Sequence, residues 1–126
     1  MSLHAHTSRI GRLGELLTMY NLERHGIDCA LIDRQDADLW IKAPSGKIMT
    51  VQVKATLAPR DDRPPKLPRY KFHIECRTGA DIFALVALDR GVVLIFPAKD
   101  VPRTIGQTKV SAELMEASIE EHILRA

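Results

Sequence analysis

An almost unbroken apolar run at residues 82–88 is the feature that most limits how this chain can fold. A strand that is apolar on both of its faces has to be covered on both, so the run predicts a strand inside a sheet. Residues 92–96 are apolar as well, and they follow a tight turn at residues 89–91. The two segments therefore predict a buried β-hairpin, and Pro97 ends its second strand.

Helical spacing marks both ends of the chain. In residues 7–25, apolar side chains recur at three- and four-residue steps and predict the buried face of a helix. These side chains are Ile10, Leu13, Leu16, Leu17 and Tyr20. Asn21 and His25 are expected on the exposed face, and Gly26 predicts the end of the helix. Apolar residues at helical steps in residues 111–124 predict a second, acidic helix.

Strand character returns between the first helix and the buried hairpin. Residues 28–33, 38–42 and 47–55 each predict a strand, and a turn at residues 44–46 joins the last two into a hairpin. In the third strand, Val51 and Val53 alternate with Thr50, Gln52 and Lys54, so one face is apolar and the other carries functional groups. After a proline-rich loop at residues 57–69, residues 70–76 predict a further strand.

Size and composition indicate one globular domain. The chain has 126 residues, of which 45% are apolar and 27% charged, so we expect a single domain over residues 1–126. Its core is expected at about residues 8–97 and its C-terminal helix at about residues 111–124. The order of elements predicts an α/β fold: a mixed β-sheet of four to five strands flanked by helices, with the first helix on one face and the last on the other or at an edge.

The chain contains no apolar run of the roughly 18 to 20 residues that a membrane span needs, and its first residues do not resemble a signal peptide. We therefore expect a cytoplasmic protein without a membrane partner. In that compartment Cys29 and Cys76, which lack the short spacing of zinc or redox motifs, are expected to be reduced thiols.

The proline-rich loop and the strand after it are basic. Their cationic residues, which outnumber Asp61 and Asp62, are Arg60, Arg63, Lys66, Arg69 and Lys71. A segment of this charge can lie along a phosphate backbone, which makes these residues candidates for nucleic-acid binding. It can equally be a solvated surface loop with ordinary surface charge. The formal net charge of +2 does not decide between the two interpretations, because it is too small to favour a nucleic-acid partner by itself.

Four polar residues inside otherwise apolar elements are candidates for chemistry, since an ionisable group in such a place needs a partner or a function. Asp38 opens an apolar strand, Gln52 and Lys54 share one face of the next strand, and Glu15 lies on a partly apolar face of the first helix. If the two strands pair as a hairpin and the helix packs on them, the four side chains can converge. Oxygen ligands for Mg²⁺ beside a cation suit phosphodiester hydrolysis.

Three motifs then resemble the PD-(D/E)xK nucleases. They are Gly-Arg-Leu-Gly-Glu at residues 11–15, Ala-Asp-Leu-Trp-Ile at residues 37–41 and Val-Gln-Val-Lys-Ala at residues 51–55. The resemblance is closest to members with a Gln-x-Lys triplet, such as intron-encoded homing endonucleases, and looser to archaeal Holliday-junction resolvases. It covers residues 9–56, continues weakly to Pro97, and implies a restriction-endonuclease-like sheet.

The resemblance also implies roles for individual residues. Asp38 and Gln52 would be metal ligands, together with the backbone carbonyl of Val53, while Glu15 would bind or orient the metal through water. Lys54 would be the catalytic cation that orients or helps to deprotonate the attacking water. Gln52 stands where most members have a glutamate, which removes one negative charge from the site and should weaken metal binding.

The function implied is that of a Mg²⁺-dependent DNA endonuclease, in which Mn²⁺ can substitute and RNA is left open as a substrate. One such site cuts one strand, so duplex cleavage would require a homodimer. Two alternatives remain: a weakly active or inactive module that binds nucleic acid or a protein partner, and a regulatory domain whose acidic terminal helix binds another protein.

Overall fold

The computed structural model of the protein describes residues 3–32, 37–59, 69–74, 79–107 and 109–126, with side chains described from residue 8 onward. Within these ranges the chain forms two α-helices and seven β-strands. In chain order they are α1 (Leu3–Arg24), β1 (Asp28–Leu31), β2 (Leu39–Lys42), β3 (Ile48–Thr56), β4 (Tyr70–His73), β5 (Ile82–Ala87), β6 (Val92–Pro97), β7 (Thr104–Gln107) and α2 (Ala112–Ile119). A single 3-10 turn, Ala98–Asp100, follows β6, and a π-helical turn, Glu120–Leu124, continues α2.

Five strands form one mixed sheet in the order β1-β2-β3-β5-β6. The pair β3 and β5 is parallel, and the other three neighbouring pairs are antiparallel. Every residue of β5 is buried, because β5 lies between β3 and β6 and both of its faces are covered. The mixed sheet and the two predicted hairpins, β2 with β3 and β5 with β6, are thereby confirmed.

A second, two-stranded sheet joins β4 to β7 in antiparallel register. β4 lies in the connection that leads from β3 to β5, and β7 in the connection that leads from β6 to α2. The predicted strand at residues 70–76 is described only as far as Ile74, and β7 was not predicted. We refer to β4 and β7 together as the ribbon.

The face of α1 that packs on the sheet differs from the predicted one. Gly14, Thr18, Asn21 and Leu22 are buried, and Asn21, which was expected to be exposed, is only 3% exposed. Three of the apolar residues expected in the core are instead 43%, 44% and 62% exposed, namely Leu13, Leu16 and Tyr20. The prediction of the buried face is therefore wrong for these positions.

Close contact between α1 and β3 explains the difference. A Cβ atom added at Gly14 would lie 2.7 Å from Cβ of Ala55 and 3.3 Å from Cγ1 of Val53, so only a residue without a side chain fits. Thr18 donates its hydroxyl to the Gly14 carbonyl at 2.8 Å, and Asn21 donates its side-chain amide to the Leu17 carbonyl at 3.0 Å. These polar side chains are satisfied within the helix and can therefore be buried.

α2 lies along β6, the strand at one edge of the main sheet. The backbone N–H of Ile95 donates to the hydroxyl of Ser118 at 3.0 Å, and the N–H of Val93 donates to the sulfur of Met115 at 3.4 Å. Side chains of α2 thus occupy backbone groups that a further strand would otherwise use, which protects this edge from pairing with another chain. Among the described helices, none is both long and apolar enough to cross a membrane.

Candidate functional site at the open edge of β3

The pairing of β2 with β3 ends before β3 does. The last pair in the register joins Leu39 to Val51, whereas β3 continues to Thr56 and pairs there with β5 alone. On the side of β2, residues 52–56 therefore have no strand beside them within the described parts of the chain. We call this stretch the open edge.

Asp38 lies at the start of the open edge. Its backbone N–H donates to the Val51 carbonyl at 2.8 Å, although Val51 is already paired with Leu39 in the register. Two residues facing one residue are the arrangement of a β-bulge, which redirects side chains at the end of a ladder. The carboxylate of Asp38 in turn accepts a hydrogen bond from the N–H of Val53 at 2.8 Å. The side chain of Asp38 thus takes the position that a continued β2 would have occupied.

The backbone carbonyl of Val53 points to the same edge. The N–H and C=O groups of one strand residue lie on the same side of the strand, and the N–H of Val53 is bonded to Asp38. Backbone groups an odd number of residues away from Val53 point to the other side of β3. The carbonyls of Thr50 and Thr56, three residues before and after Val53, accept hydrogen bonds at 3.0 Å from the N–H groups of Asp81 and Leu88 on the β5 side. A carboxylate and a peptide oxygen therefore lie next to each other at the open edge.

Glu15 approaches from α1. It follows Gly14, the residue that touches Val53 and Ala55, and its side chain is 24% exposed. Burial raises the pKa of Glu15, and the negative charge of Asp38 raises it further, while Arg12 at 3.6 Å offsets part of the effect. The two carboxyl groups therefore lie within electrostatic reach of each other.

Gln52 and Lys54 lie on the opposite face of β3 from α1, because they alternate with Val53 and Ala55. Gln52 is 9% exposed, and its side-chain oxygen Oε1 is buried without a hydrogen-bond partner among the described residues. Lys54 is partly buried. No hydrogen bond or ion pair among the described residues joins Gln52 or Lys54 to Asp38. The structure thus groups Glu15, Asp38 and Val53, and it places Gln52 and Lys54 on the other side of the same strand segment.

A cleft of about 580 Å³ adjoins the open edge. It is lined by Ile10 and Gly11 of α1 and by residues 53–58, which include Lys54. A second cleft, of about 670 Å³, lies away from this region between the start of β3, the end of β6 and the C-terminal turn, and none of the four candidate residues lines it. Of the four candidate residues, Lys54 is the one that the described lining of the first cleft includes.

The oxygen atoms near the open edge suit a hard divalent cation such as Mg²⁺, which binds carboxylate and carbonyl oxygens. The unpartnered Oε1 of Gln52 is an acceptor without a donor, and a cation would satisfy it. The carboxylates are few, however: over the described residues, no group of three or more acidic, histidine or cysteine side chains is placed to hold a metal. The residues grouped at the open edge therefore fit a cation that is held by the carboxylates of Asp38 and Glu15 and by the Val53 carbonyl.

Three of the candidate nucleic-acid-binding residues, Arg60, Arg63 and Lys66, lie outside the described residues. Arg69 and Lys71 are described, and both lie at the ribbon. One face of the ribbon, formed by Tyr70, Phe72 and Ile105, packs in the core.

The other face of the ribbon turns toward solvent. Lys71 pairs with Gly106 and His73 with Thr104, and these four residues are exposed or partly exposed. Arg69 lies over Gly106, since a Cβ atom there would be 3.5 Å from Nη1 of Arg69. Thr104 and Gly106 were not predicted as part of a binding surface, because the short β7 contains a glycine and little apolar sequence. His73 lies in a predicted strand, β4, but was not selected as a candidate for binding.

Neither a family model nor a curated protein sequence matches the chain. Its fold is similar to the solved structure of a bacterial homing endonuclease, I-Ssp6803I, with a TM-score of 0.67 and 17% sequence identity over 83% of this chain and 77% of that one. The chain has an endonuclease-like fold. The expected architecture is therefore confirmed, with five strands in the main sheet and two more in the ribbon.

Proposed function

We propose that this protein is a metal-dependent DNA endonuclease that hydrolyses phosphodiester bonds. The observation that carries the proposal is the open edge, where the carboxylate of Asp38 bonds the Val53 backbone beside the carboxyl group of Glu15. The similarity of the fold to that of a homing endonuclease supports it. Fold alone does not determine chemistry, which depends on the residues of the site.

In this proposal Asp38 and the Val53 carbonyl would hold Mg²⁺ or Mn²⁺, and Glu15 would bind the ion directly or through water. Gln52, on the other face of β3, would have to turn its side chain to the edge to supply a neutral oxygen. When bound, such an ion would polarise the phosphate and lower the pKa of a water molecule. Lys54 stabilises the negative charge that develops on the phosphate, or orients the attacking water. Its position at the cleft beside the open edge is compatible with this role.

The ribbon supplies contacts to the DNA backbone. Lys71 and His73 lie on its solvent face, and Arg69 lies across Gly106 at one end. Cations on an exposed face attract phosphates without reading the sequence. A two-stranded ribbon is also narrow enough to enter a major groove. We assign this face to DNA together with the basic residues Arg60, Arg63 and Lys66.

A plasmid-nicking assay tests the proposed activity. The purified protein should convert supercoiled DNA to the nicked form in Mg²⁺ or Mn²⁺, and EDTA should prevent the conversion. Lys54→Ala should lose the activity, whereas Lys47→Ala, which removes an exposed lysine at the far end of the hairpin, should keep it. Equal nicking by both variants would point to a contaminating nuclease and contradict the proposal.

A second candidate function is binding of nucleic acid without cleavage. It is favoured by Gln52, a neutral residue where a third carboxylate would strengthen the site, and by the small number of carboxylates among the described residues. DNA retention that weakens with salt, without nicking in either metal, would support this candidate. Neither binding nor nicking would favour the third interpretation, a regulatory domain that binds another protein.

A further inference from the structure

An apolar stripe on α1 faces solvent. Leu13 is 43% exposed, Leu16 44% and Tyr20 62%, and the three residues follow each other at steps of three and four along the helix. Residues at such steps share one face of a helix. The guanidinium group of Arg24 lies 5.6 Å from the centre of the Tyr20 ring, which orders one end of the stripe.

Charged residues continue the stripe at both ends with the same spacing. Arg9 precedes Leu13 by four residues, Glu23 follows Tyr20 by three, and both side chains are exposed. The α1 stripe, defined as Arg9, Leu13, Leu16, Tyr20 and Glu23, is therefore apolar in the middle, with a cation at one end and an anion at the other. Arg24, the cation over Tyr20, is paired with Glu116 of α2 at 3.4 Å. The carboxylate of Glu23 accepts a hydrogen bond from the N–H of Cys29 at 3.1 Å, which restrains its position.

This pattern is complementary to itself in the antiparallel direction. When two copies of α1 run in opposite directions with Leu16 at the centre, Arg9 of each copy lies opposite the partner's Glu23. The same alignment brings the apolar side chains of both helices together. In a parallel arrangement, by contrast, like charges would face each other. A surface that complements itself about a two-fold axis is the requirement for a closed dimer.

We infer that a second copy of this chain docks on the α1 stripe, with the two helices antiparallel and Leu16 beside the two-fold axis. Spacing at alternating steps of three and four is the one that lets two helices pack along a seam. Two pairs between Arg9 and the partner's Glu23 fix the direction and the register. Opposite charges across an interface select the partner and its orientation more than they add affinity.

The inferred dimer is independent of the proposed catalysis, but it has a consequence for it. Glu15 directly precedes Leu16, so the helix that would form the interface also carries a residue of the candidate site. The two sites of a symmetric dimer can each act on one strand of a duplex. If the protein is a dimer but does not nick DNA, the inferred interface stands and the proposed function is wrong. If it nicks DNA as a monomer, the proposed function stands and the inferred interface is wrong.

Sedimentation equilibrium of the full chain tests the interface. The wild-type protein should be a dimer, and Leu16→Glu, which sets two carboxylates against each other at the axis, should weaken association at least about tenfold. Leu114→Glu is the matched control, because Leu114 is a leucine on α2 that is 40% exposed. A monomeric wild type, or an equal effect of the two substitutions, would overturn the inference. Circular dichroism verifies that each variant is folded.

A charge exchange tests the direction of the helices without touching the apolar residues. Arg9→Glu and Glu23→Arg should each weaken association, because each places like charges opposite each other. The double variant should restore it, since the pairs are then only reversed. Full association of both single variants, or failure of the double variant to recover, would rule out the antiparallel register. Asp38→Asn should associate like the wild type, which separates assembly from the metal site.

Discussion

The carboxylate of Asp38 accepts a hydrogen bond from the backbone N–H of Val53 at 2.8 Å, at the point where the pairing of β2 with β3 ends and β3 continues. The side chain of Asp38 bonds to β3 where a further residue of β2 would otherwise pair. Beyond it, the backbone of the open edge lies beside the carboxyl groups of Asp38 and Glu15. The arrangement has both a structural and a proposed chemical role. Substitutions that keep one role and remove the other can separate them.

Asp38→Asn should remove activity and leave the fold intact. The asparagine oxygen can still accept the bond from Val53, so the free energy of unfolding should fall by less than about 1 kcal/mol. Losing the charge should reduce nicking at least about a hundredfold, or roughly 2.7 kcal/mol. Asp81→Asn is the control, because Asp81 likewise accepts a backbone N–H of β3, that of Thr50 at 2.9 Å, outside the site. Equal losses from both substitutions would mean that Asp38 has only a structural role.

Gln52 should report on metal binding through stability. Gln52→Leu removes a buried oxygen that lacks a partner, and it should stabilise the protein by about 1 kcal/mol without metal. Gln52→Glu buries a further negative charge and should lower Tm without metal. Added Mn²⁺ should then raise Tm more in Gln52→Glu than in the wild type, and least in Gln52→Leu, because only the folded site binds the ion. The same rise in all three proteins would exclude Gln52 as a ligand.

The two glycines of the Gly-Arg-Leu-Gly-Glu motif should respond in opposite ways to alanine. A Cβ atom at Gly14 would lie 2.7 Å from that of Ala55, whereas nothing lies within 4 Å of one at Gly11. Gly14→Ala should destabilise the protein by about 1–3 kcal/mol through overpacking. Gly11→Ala should stabilise it by about 0.5–1 kcal/mol through helix propensity. Urea unfolding measures both, and Ala55→Gly should partly rescue Gly14→Ala.

The contact between His25 and Glu116 should make stability depend on pH. Burial lowers the pKa of His25, but hydrogen bonds to the Asn21 carbonyl and to Glu116 outweigh it and raise the pKa above 6.5. Protonated His25 therefore stabilises the fold fully below about pH 6.5, and this contribution is lost as pH rises through the raised value.

Glu116, the partner of His25, sets the lower limit of the pH range in which this pair stabilises the fold. The hydrogen bond from His25 lowers the pKa of Glu116 below 4.5, so its contribution is present above that pH and is lost as pH falls through the lowered value. Because Glu116 is largely exposed, the pair should contribute less than about 1 kcal/mol. Thermal unfolding from pH 6 to 8 should show a fall in Tm that Glu116→Gln removes and Glu113→Gln keeps. Identical profiles for the two variants would contradict this assignment.

Lys71→Ala should weaken DNA binding without changing sequence preference. If Lys71 contacts one phosphate, the slope of log K against log salt should become shallower by about 0.9. Lys42→Ala serves as control, since Lys42 is an exposed lysine on β2. Binding measured by fluorescence anisotropy at several salt concentrations distinguishes the two variants. An unchanged slope for Lys71→Ala would remove the ribbon from the DNA interface.

The hairpins could be predicted from the sequence because turn and alternation act locally. The apolar run of β5 and the turn at residues 89–91 specify a buried strand and its neighbour, and the turn after Lys42 sets the register of β2 with β3. Asp38 and Glu15 were selected because carboxyl groups are unusual in such positions. Their roles in metal binding, and those of Gln52 and Lys54, stay predictions.

The packing face of α1 could not be predicted in the same way. The spacing of apolar residues predicts a buried face from the side chains that gain free energy when they are buried. The face of α1 that packs on β3 instead carries small residues such as Gly14, which let the two backbones approach closely. Thr18 is buried at no cost in lost hydrogen bonds, because its hydroxyl bonds within the helix. The open edge could not be predicted either, since alternation in β3 shows which face of the strand is buried and carries no signal for where its pairing with β2 stops.

The ribbon has a consequence for the order in which the protein folds. Its two strands come from separate connections, one before β5 and one after β6, so they meet only once the main sheet has brought those connections together. Pairings between distant segments form late, because closing a long loop costs entropy before any contact repays it. We therefore expect the surface assigned to DNA to be completed late, and its amide hydrogens to exchange with solvent sooner than those of β5.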